Sequence, residues 1–375
     1  MAILYPNPLN PIIINASARI TIANDFFLRR VCFVSCGESE VGVGNYERVT
    51  SENFAAKAKT STWLYNQLST FFTFTSRNKE CYILEAGLPQ NASYAQPIAQ
   101  TVQAINSGLN RCYIYAIPSA MLADTNVTQL LALTISTSAA LYVASEVATF
   151  DASDAGVVNS RGNKGVLKVK NTSASTYETL GAVLGVFASS VFDITTSNPA
   201  SPLNYKLLAG FHPTDITNTE ASTATEQFIT WAGTIGGQVA ILGGRLSDGN
   251  PLDYWYQWDL VAYYVENAIS SLLISGANNP RYVVKYNQDG IDMITSTIEA
   301  TLFRMKSFGC ISEFAAGYDA ATGTLLQTDK IYSTGASAYI AANPDNYAAG
   351  IYAGQSAYLQ IGRYLQQIVF NVTLG

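Results

Sequence analysis

The sequence predicts a mixed α/β fold on three observations. Short apolar runs that read as strands alternate with stretches of helical spacing from residue 31 to 146. A second region, from about 217 onward, carries two long helical patterns. Both chain ends alternate apolar and polar residues with a period of two, as strands do. With 375 residues the chain has room for two domains, or for one large domain with an insertion. A core of that size needs no disulfides.

Residues 5–11 (YPNPLNP) carry three prolines. Proline fixes φ and removes a donor, so this piece is extended. In the following IIINASARITIA, Ile12, Ile14, Ala16, Ala18, Ile20 and Ile22 fall on one side of a strand. It is either an ordinary first strand or an arm that adds to a neighbour's sheet edge.

The strand VCFVSCG comes next. The stretch 51–72 is expected as one helix, with Ser51 as N-cap and Phe54, Ala58, Leu64, Leu68 and Phe71 along one face. Strand CYILEAG precedes a second helix, ASYAQPIAQTVQAINSG, with Pro97 in its first turns and Gly108 as its stop. Strand CYIYAIP, a helix at about 122–133 and strand AALYVASEV complete a βαβ rhythm with partly parallel strands. The apolar stretch 130–144 is broken by Thr134, Ser136, Thr137 and Ser138, and reads as helix end, turn and strand instead of a membrane span.

Residues 151–175 are turn-rich, and GVLKVKNTS reads as a short edge strand. A helix follows in YETLGAVLGVFASSVF, then a linker signal, TTSNPASPLN. A helix is expected over 219–232 and a glycine-flanked strand, QVAIL, after it. A long helix over 254–274 ends before Asn278, Asn279 and Pro280. Strand RYVVKYN leads to Asp289 and Gly290. Ile291, Ile294, Ile298, Leu302 and Met305 then recur at helical steps until Gly309. Strand-like pieces finish the chain. In the last, Ile368, Phe370, Val372 and Leu374 alternate with Val369, Asn371 and Thr373.

Hydrophobic residues make up 48% and charged residues 13%, where about 25% charged is usual. The difference is made up by small polar residues, and there are 23 tyrosines. Such a surface suits burial against copies of itself, and equally a generally polar globular protein. The net charge of −6 and the lack of a Lys/Arg cluster speak against nucleic acid as a partner. The N-terminus has no basic start and no long apolar stretch, so a soluble chain made in a cytoplasm is expected. Cys81 and Cys112 open apolar strands and read as buried thiols. Cys32 and Cys36 have no second pair downstream, and one histidine in the chain speaks against zinc. Whether any of these or Cys310 pairs in an assembled particle is left open.

Catalysis needs usefully titrating groups or a nucleophile beside a base. His212, next to Pro213, reads as solvated or capping. There is no GxSxG and no GxxxxGK[ST]. VGVGN at 41–45 lacks the third glycine of a dinucleotide loop. The glycines at 233, 236, 237, 243 and 244 are explained by turns. Asp248, Asp253 and Glu266 lack the spacing of a metal loop. Asp151, Asp154 and Asp193 sit in turns. No catalytic, cofactor or metal site is expected, although a Tyr- or carboxylate-based glycosidase stays open.

Over residues 201–311 the sequence resembles the contractile phage tail sheath proteins. The residues that carry the resemblance are SPLNYKLLAGFHPTDIT, then GGRLSDGNPLDYWYQWDLVAYYVENAISSLLIS, then NPRYVVKYNQDGIDMITSTIEATLFRMKSFGCI. The family's order is a polar segment with tryptophan and aspartate, a long helix, a strand ending in Asp-Gly, and a second helix ending at glycine. The ending AYLQIGRYLQQIVFNVTLG is similar to the family's terminal strand. Tyr254, Trp255 and Trp258 stand where many members carry a proline-tryptophan pair.

The resemblance implies a structural protein and not an enzyme: a homo-oligomer in stacked hexameric rings that contracts around a tail tube protein. Its other partners would be baseplate and tail terminator proteins, with no nucleic acid and no direct membrane insertion. It would be located in the virion tail, assembled in the host cytoplasm. It further implies an N-terminal arm (1–24), an outer α/β domain (25–240) and an inner, tube-facing domain (241–375) with a mixed sheet and two long helices, ending in an arm (364–375). Ile12, Ile14, Ile20, Ile22, Ile368, Phe370, Val372 and Leu374 would be the inter-subunit arm residues. Glu299, Arg304 and Lys306 are tube-facing candidates. Another virion surface protein, or a polar α/β enzyme, remain the alternatives.

Overall fold

The computed structural model describes residues 28–75, 80–107, 112–135, 141–150, 165–172, 177–189, 202–279, 283–312, 316–318, 323–327 and 330–363. Both predicted arm strands, 12–22 and 368–374, and the Gly108 helix stop lie outside them. The described residues form two compact units, one holding those of 28–189 and 202–255, the other 256–363.

The first unit is built on an eight-stranded sheet. Its strands are β1 (Val31–Ser35), β2 (Tyr46–Thr50), β3 (Glu80–Glu85), β4 (Ile114–Ile117), β5 (Tyr142–Val147), β6 (Val166–Lys170), β7 (Ile229–Ile235) and β8 (Gln238–Leu242). The order is β2-β3-β1-β4-β5-β6-β7-β8. Strands β3, β1, β4, β5, β6 and β7 are parallel; β2 and β8 are antiparallel to their neighbours. Continuous apolar strands such as VCFVS and IYAI are buried throughout, as strands covered on both faces must be.

The helices of this unit are α1 (Phe54–Lys57), α2 (Trp63–Phe74), α3 (Ala95–Asn106), α4 (Ser119–Leu122), α5 (Val127–Ile135), α6 (Thr179–Ser189) and α7 (Asn218–Glu226). α2 packs on α6, and α3 on α5. The α3–α5 layer meets Cys32, Val34, Leu84, Tyr115 and Val143 in one apolar cluster.

Four expectations are corrected here. The helix capped by Ser51 is two helices, because Ala58 is extended and bridges Ser39, which breaks the run; Thr62 caps α2 by accepting from Tyr65 N. The helix at 122–133 is likewise two pieces, separated by a turn in which Asp124 accepts from Asn126 N at 2.8 Å. The strand GVLKVKNTS is not at an edge. It is β6, between β5 and β7, and its Lys168 is 0% exposed. Burial pushes that ammonium down to about 8. The helix at 219–232 stops at Glu226, after a capping box between Thr217 and Glu220. Beyond Phe228, at φ +56°, the β-branched and aromatic run Ile229, Thr230, Trp231 pairs as β7. Gly236 (φ +57°) and Gly237 (φ +78°) make the two-residue turn into β8, where both central residues need positive φ.

The long helix α8 (Leu252–Asn278) is present as predicted and runs from the first unit into the second. The second unit then holds α9 (Gln288–Ser307), two-stranded sheets of β9 (Ala316–Tyr318) with β10 (Leu325–Gln327) and of β11 (Ile331–Ser333) with β12 (Gln355–Ala357), and the short helices α10 (Ala336–Ala342) and α11 (Pro344–Ala348). The predicted strand RYVVKYN is not formed over 283–287. Val283 is exposed, and Asn287 is extended because it caps α9, its side chain accepting from Gly290 N at 3.0 Å. Helices α10 and α11 are not predicted by the sequence pattern.

Candidate functional site

In a doubly wound sheet, ligands bind at the carboxyl ends of the strands where the connections diverge. Here that point lies between β1, whose chain leads to β3, and β4, whose chain leads to β5. Among the described residues, apolar side chains lie at it. Cys36, Ile98, Ile117 and Met121 belong to one buried apolar cluster there. Beside them, at the end of β3, the Glu85 carboxylate is consumed by its own chain. Its Oε2 accepts the hydroxyls of Ser35 (2.5 Å) and Ser39 (2.6 Å), and its Oε1 accepts Gly37 N and Gly87 N, both at 2.8 Å. The glycine pair of VGVGN serves this fold-back: Gly44 N donates to the Glu85 carbonyl at 2.7 Å. Sequence reasoning missed the network. Its signal was a glutamate closing the apolar run CYILE.

Of the other singled-out residues, Asp151, Asp154 and Asp193 lie outside the described residues. His212 is exposed, with Nδ1 2.9 Å from its neighbour's carbonyl. Asp248 accepts Trp255 Nε1 and Asn250 Nδ2, each at 2.9 Å, and so fixes the turn before α8. Burial lifts Asp253 to about 6 and Glu266 to about 7. All five cysteines are buried; burial first, then Glu85 and Glu38, pushes Cys36 up to about 12. Among the described residues no group of three His, Cys, Asp or Glu could hold a metal ion.

Helix α9 presents the remaining candidate surface. Its buried face is Ile291, Ile298, Leu302 and Met305, close to the predicted stripe. It ends as its glycine predicts. Gly309 stands at φ +77°, Cys310 N donates to Met305 O and Gly309 N to Lys306 O, the paired bonds of a Schellman stop. The three predicted residues do not cluster. At about 100° per residue, Glu299 and Lys306 share one margin of the outer face, and Arg304 lies about 140° round from Glu299. Arg304 reaches over the Phe308 ring, 5.8 Å from its centroid. The middle of the outer face belongs to Phe303, 69% exposed, with Ser296 and Asp292 behind it. The amphipathic stripe located this face; the exposed phenylalanine at its centre was not foreseen.

This architecture recurs in solved structures. A chain of the anti-feeding prophage baseplate in its contracted state superposes with a TM-score of 0.65 over 97% of both chains, at 15% identity. The sheath tail protein of Listeria innocua superposes with a TM-score of 0.52 over 80% of this chain and 87% of that one, at 11% identity. The chain has the tail sheath fold. No family model and no curated protein matches its sequence. In this chain the segment before the long helix is held by the Asp248–Trp255 bond, and the second helix by its Gly309 stop.

Proposed function

We propose that this protein is a structural subunit of a contractile tail sheath, polymerising as stacked hexameric rings around a tail tube and shortening to drive that tube through an envelope. The observation that carries the reading is the fold match over 97% of the chain to a component of a contractile particle's baseplate. The Glu85 network supports it, because the acidic group beside the point where this sheet type binds substrate is spent on holding loops together.

On this reading the terminal strands are arms that complete sheets in neighbouring subunits. Burial of three or four Ile or Val side chains contributes roughly 5 kcal/mol per arm. The prolines at 6, 8 and 11 hinge the first arm, and the glycines at 354 and 362 the last. Many such joints resist dissociation while each stays pliable. Contraction then needs two packings of one folded subunit and no fuel. The inner, tube-facing part is the C-terminal region, and α9, with Glu299, Arg304 and Lys306, lies near the tube; baseplate and terminator proteins cap the stack.

Electron microscopy of the purified chain tests the reading. Hollow helical tubes are expected, and a deletion of residues 1–22 should stay folded yet stop polymerising. A monodisperse wild-type protein at high concentration sinks it. Cross-linking that never joins α9 to a tube protein removes that placement alone.

A further inference from the structure

Gly354 and Gly362 are both enclosed by the second unit. The Gly354 carbonyl accepts Thr334 N at 2.8 Å, and a Cβ there would stand 2.8 Å from the Tyr339 and Tyr352 side chains. Between the two glycines the chain is also tied to α9, where Gln355 Nε2 donates to Thr295 Oγ1 at 2.7 Å.

Gly362 is held more tightly, and by backbone. Its N–H donates to the Cys310 carbonyl at 2.9 Å, and Ser312 N donates to the Gln360 carbonyl at 2.7 Å. These two bonds flank Ile311 and Ile361, which face each other across an antiparallel bridge and are both buried. From α8, Gln257 Nε2 reaches the Gly362 carbonyl at 3.4 Å. A Cβ at 362 would stand 2.2 Å from the Gly309 carbonyl oxygen, so any side chain there collides with backbone.

Gly309 is also the residue that ends α9. Its positive φ lets Cys310 N return to Met305 O at 3.0 Å, and the same turn brings Cys310 and Ile311 to the bridge. The stop of α9 and the seat of Gly362 are therefore built from one set of residues, Gly309, Cys310 and Ile311. What loosens one must loosen the other, because an energetic tie between two sites acts equally in both directions.

We propose that the end of α9 is a catch on Gly362: this glycine turns only when the α9 stop releases it, and the stop loosens when Gly362 leaves its seat. The catch stands on these bonds alone. That it passes a displacement of α9 on to a C-terminal arm rests on the sheath reading above.

Hydrogen exchange of the full-length chain, read before it assembles, tests the catch. In Gly362→Ala the Ser312 amide should exchange about tenfold faster. The Gly309 and Cys310 amides, whose bonds run to Lys306 and Met305 and not to residue 362, should follow by a similar factor, while the β4 amides keep their rates. Wild-type rates at Gly309 and Cys310 in that variant overturn the catch. Ile311→Cys with Ile361→Cys is the opposite variant. A non-hydrogen-bonded antiparallel pair sets its Cα atoms about 4.5 Å apart, within disulfide range. Burial, which pushes the Cys310 thiol up to about 12, keeps that neighbour out of the reaction. Oxidation should slow the same three amides about tenfold against the reduced form, and unchanged rates overturn the catch as well. Both measurements are made on the unassembled chain, so a protein that never forms tubes refutes the sheath reading and leaves the catch standing.

Discussion

Gly181 lies so close against Gln67 that its missing side chain is part of the fold: a Cβ there would stand 2.6 Å from the Gln67 carbonyl oxygen. The clash is with backbone, which cannot swing away. Alanine would gain about 1 kcal/mol of helix propensity over glycine. Pushing α2 off α6 should cost about 2–4 kcal/mol, since overpacking a filled core is felt through several contacts. Gly181→Ala should therefore lose stability in urea denaturation. A variant more stable than wild type means the two helices do not approach this closely.

Glu85→Ala should be among the most damaging single changes at the sheet's carboxyl end. It leaves the Ser35 and Ser39 hydroxyls and the Gly37 and Gly87 N–H groups without their acceptor. The loss expected is about 3 kcal/mol. Glu80→Ala is the control. Its ion pair with Arg48 is exposed, so the cost should stay below about 1 kcal/mol. Equal losses in the two variants would show that the network holds nothing together.

The parts of this fold legible in the sequence are those dictated by local pattern. The strands at 31–35, 80–85 and 114–117 are apolar runs that nothing but a covered sheet accommodates. The buried stripe and glycine stop of α9 follow from helical period and positive φ. The failures are tertiary. GVLKVKNTS looks like an edge strand, yet it is walled in by β5 and β7. Residues 283–287 look like a strand, but among the described residues no strand pairs with them. Ala58 continues a helical face in sequence, and leaves it because Ser39 offers a bridge. At the candidate surfaces, spacing located the outer face of α9 but not that Phe303 would stay exposed, and the Glu85 network joins residues fifty positions apart.

Gly309→Ala isolates the helix stop. Nothing lies within 4 Å of a Cβ at this position, so sterics with neighbours are absent and only the backbone at φ +77° objects. The left-handed conformation costs a non-glycine residue about 1–2 kcal/mol. Thermal melts followed by circular dichroism should show a small drop without loss of helix content at low temperature. No drop would mean that α9 can end another way.

Glu266 makes the stability of the second unit fall with pH. It is buried in the middle of α8 at 4% exposure, and burial lifts its carboxyl to about 7. In the unfolded chain a glutamate titrates at about 4.3. Between those values the folded state holds a proton that the unfolded state releases, so stability decreases as pH rises from about 4.3 to about 7 and is lowest above that. The full swing is roughly 4 kcal/mol. Glu266→Gln keeps the shape and removes the titration. It should match wild type near pH 4 and exceed it near pH 8, measured by denaturant unfolding of the monomeric chain. A variant weaker than wild type at the higher pH would mean that the ionised carboxylate has a favourable partner, and the sign of the argument would reverse.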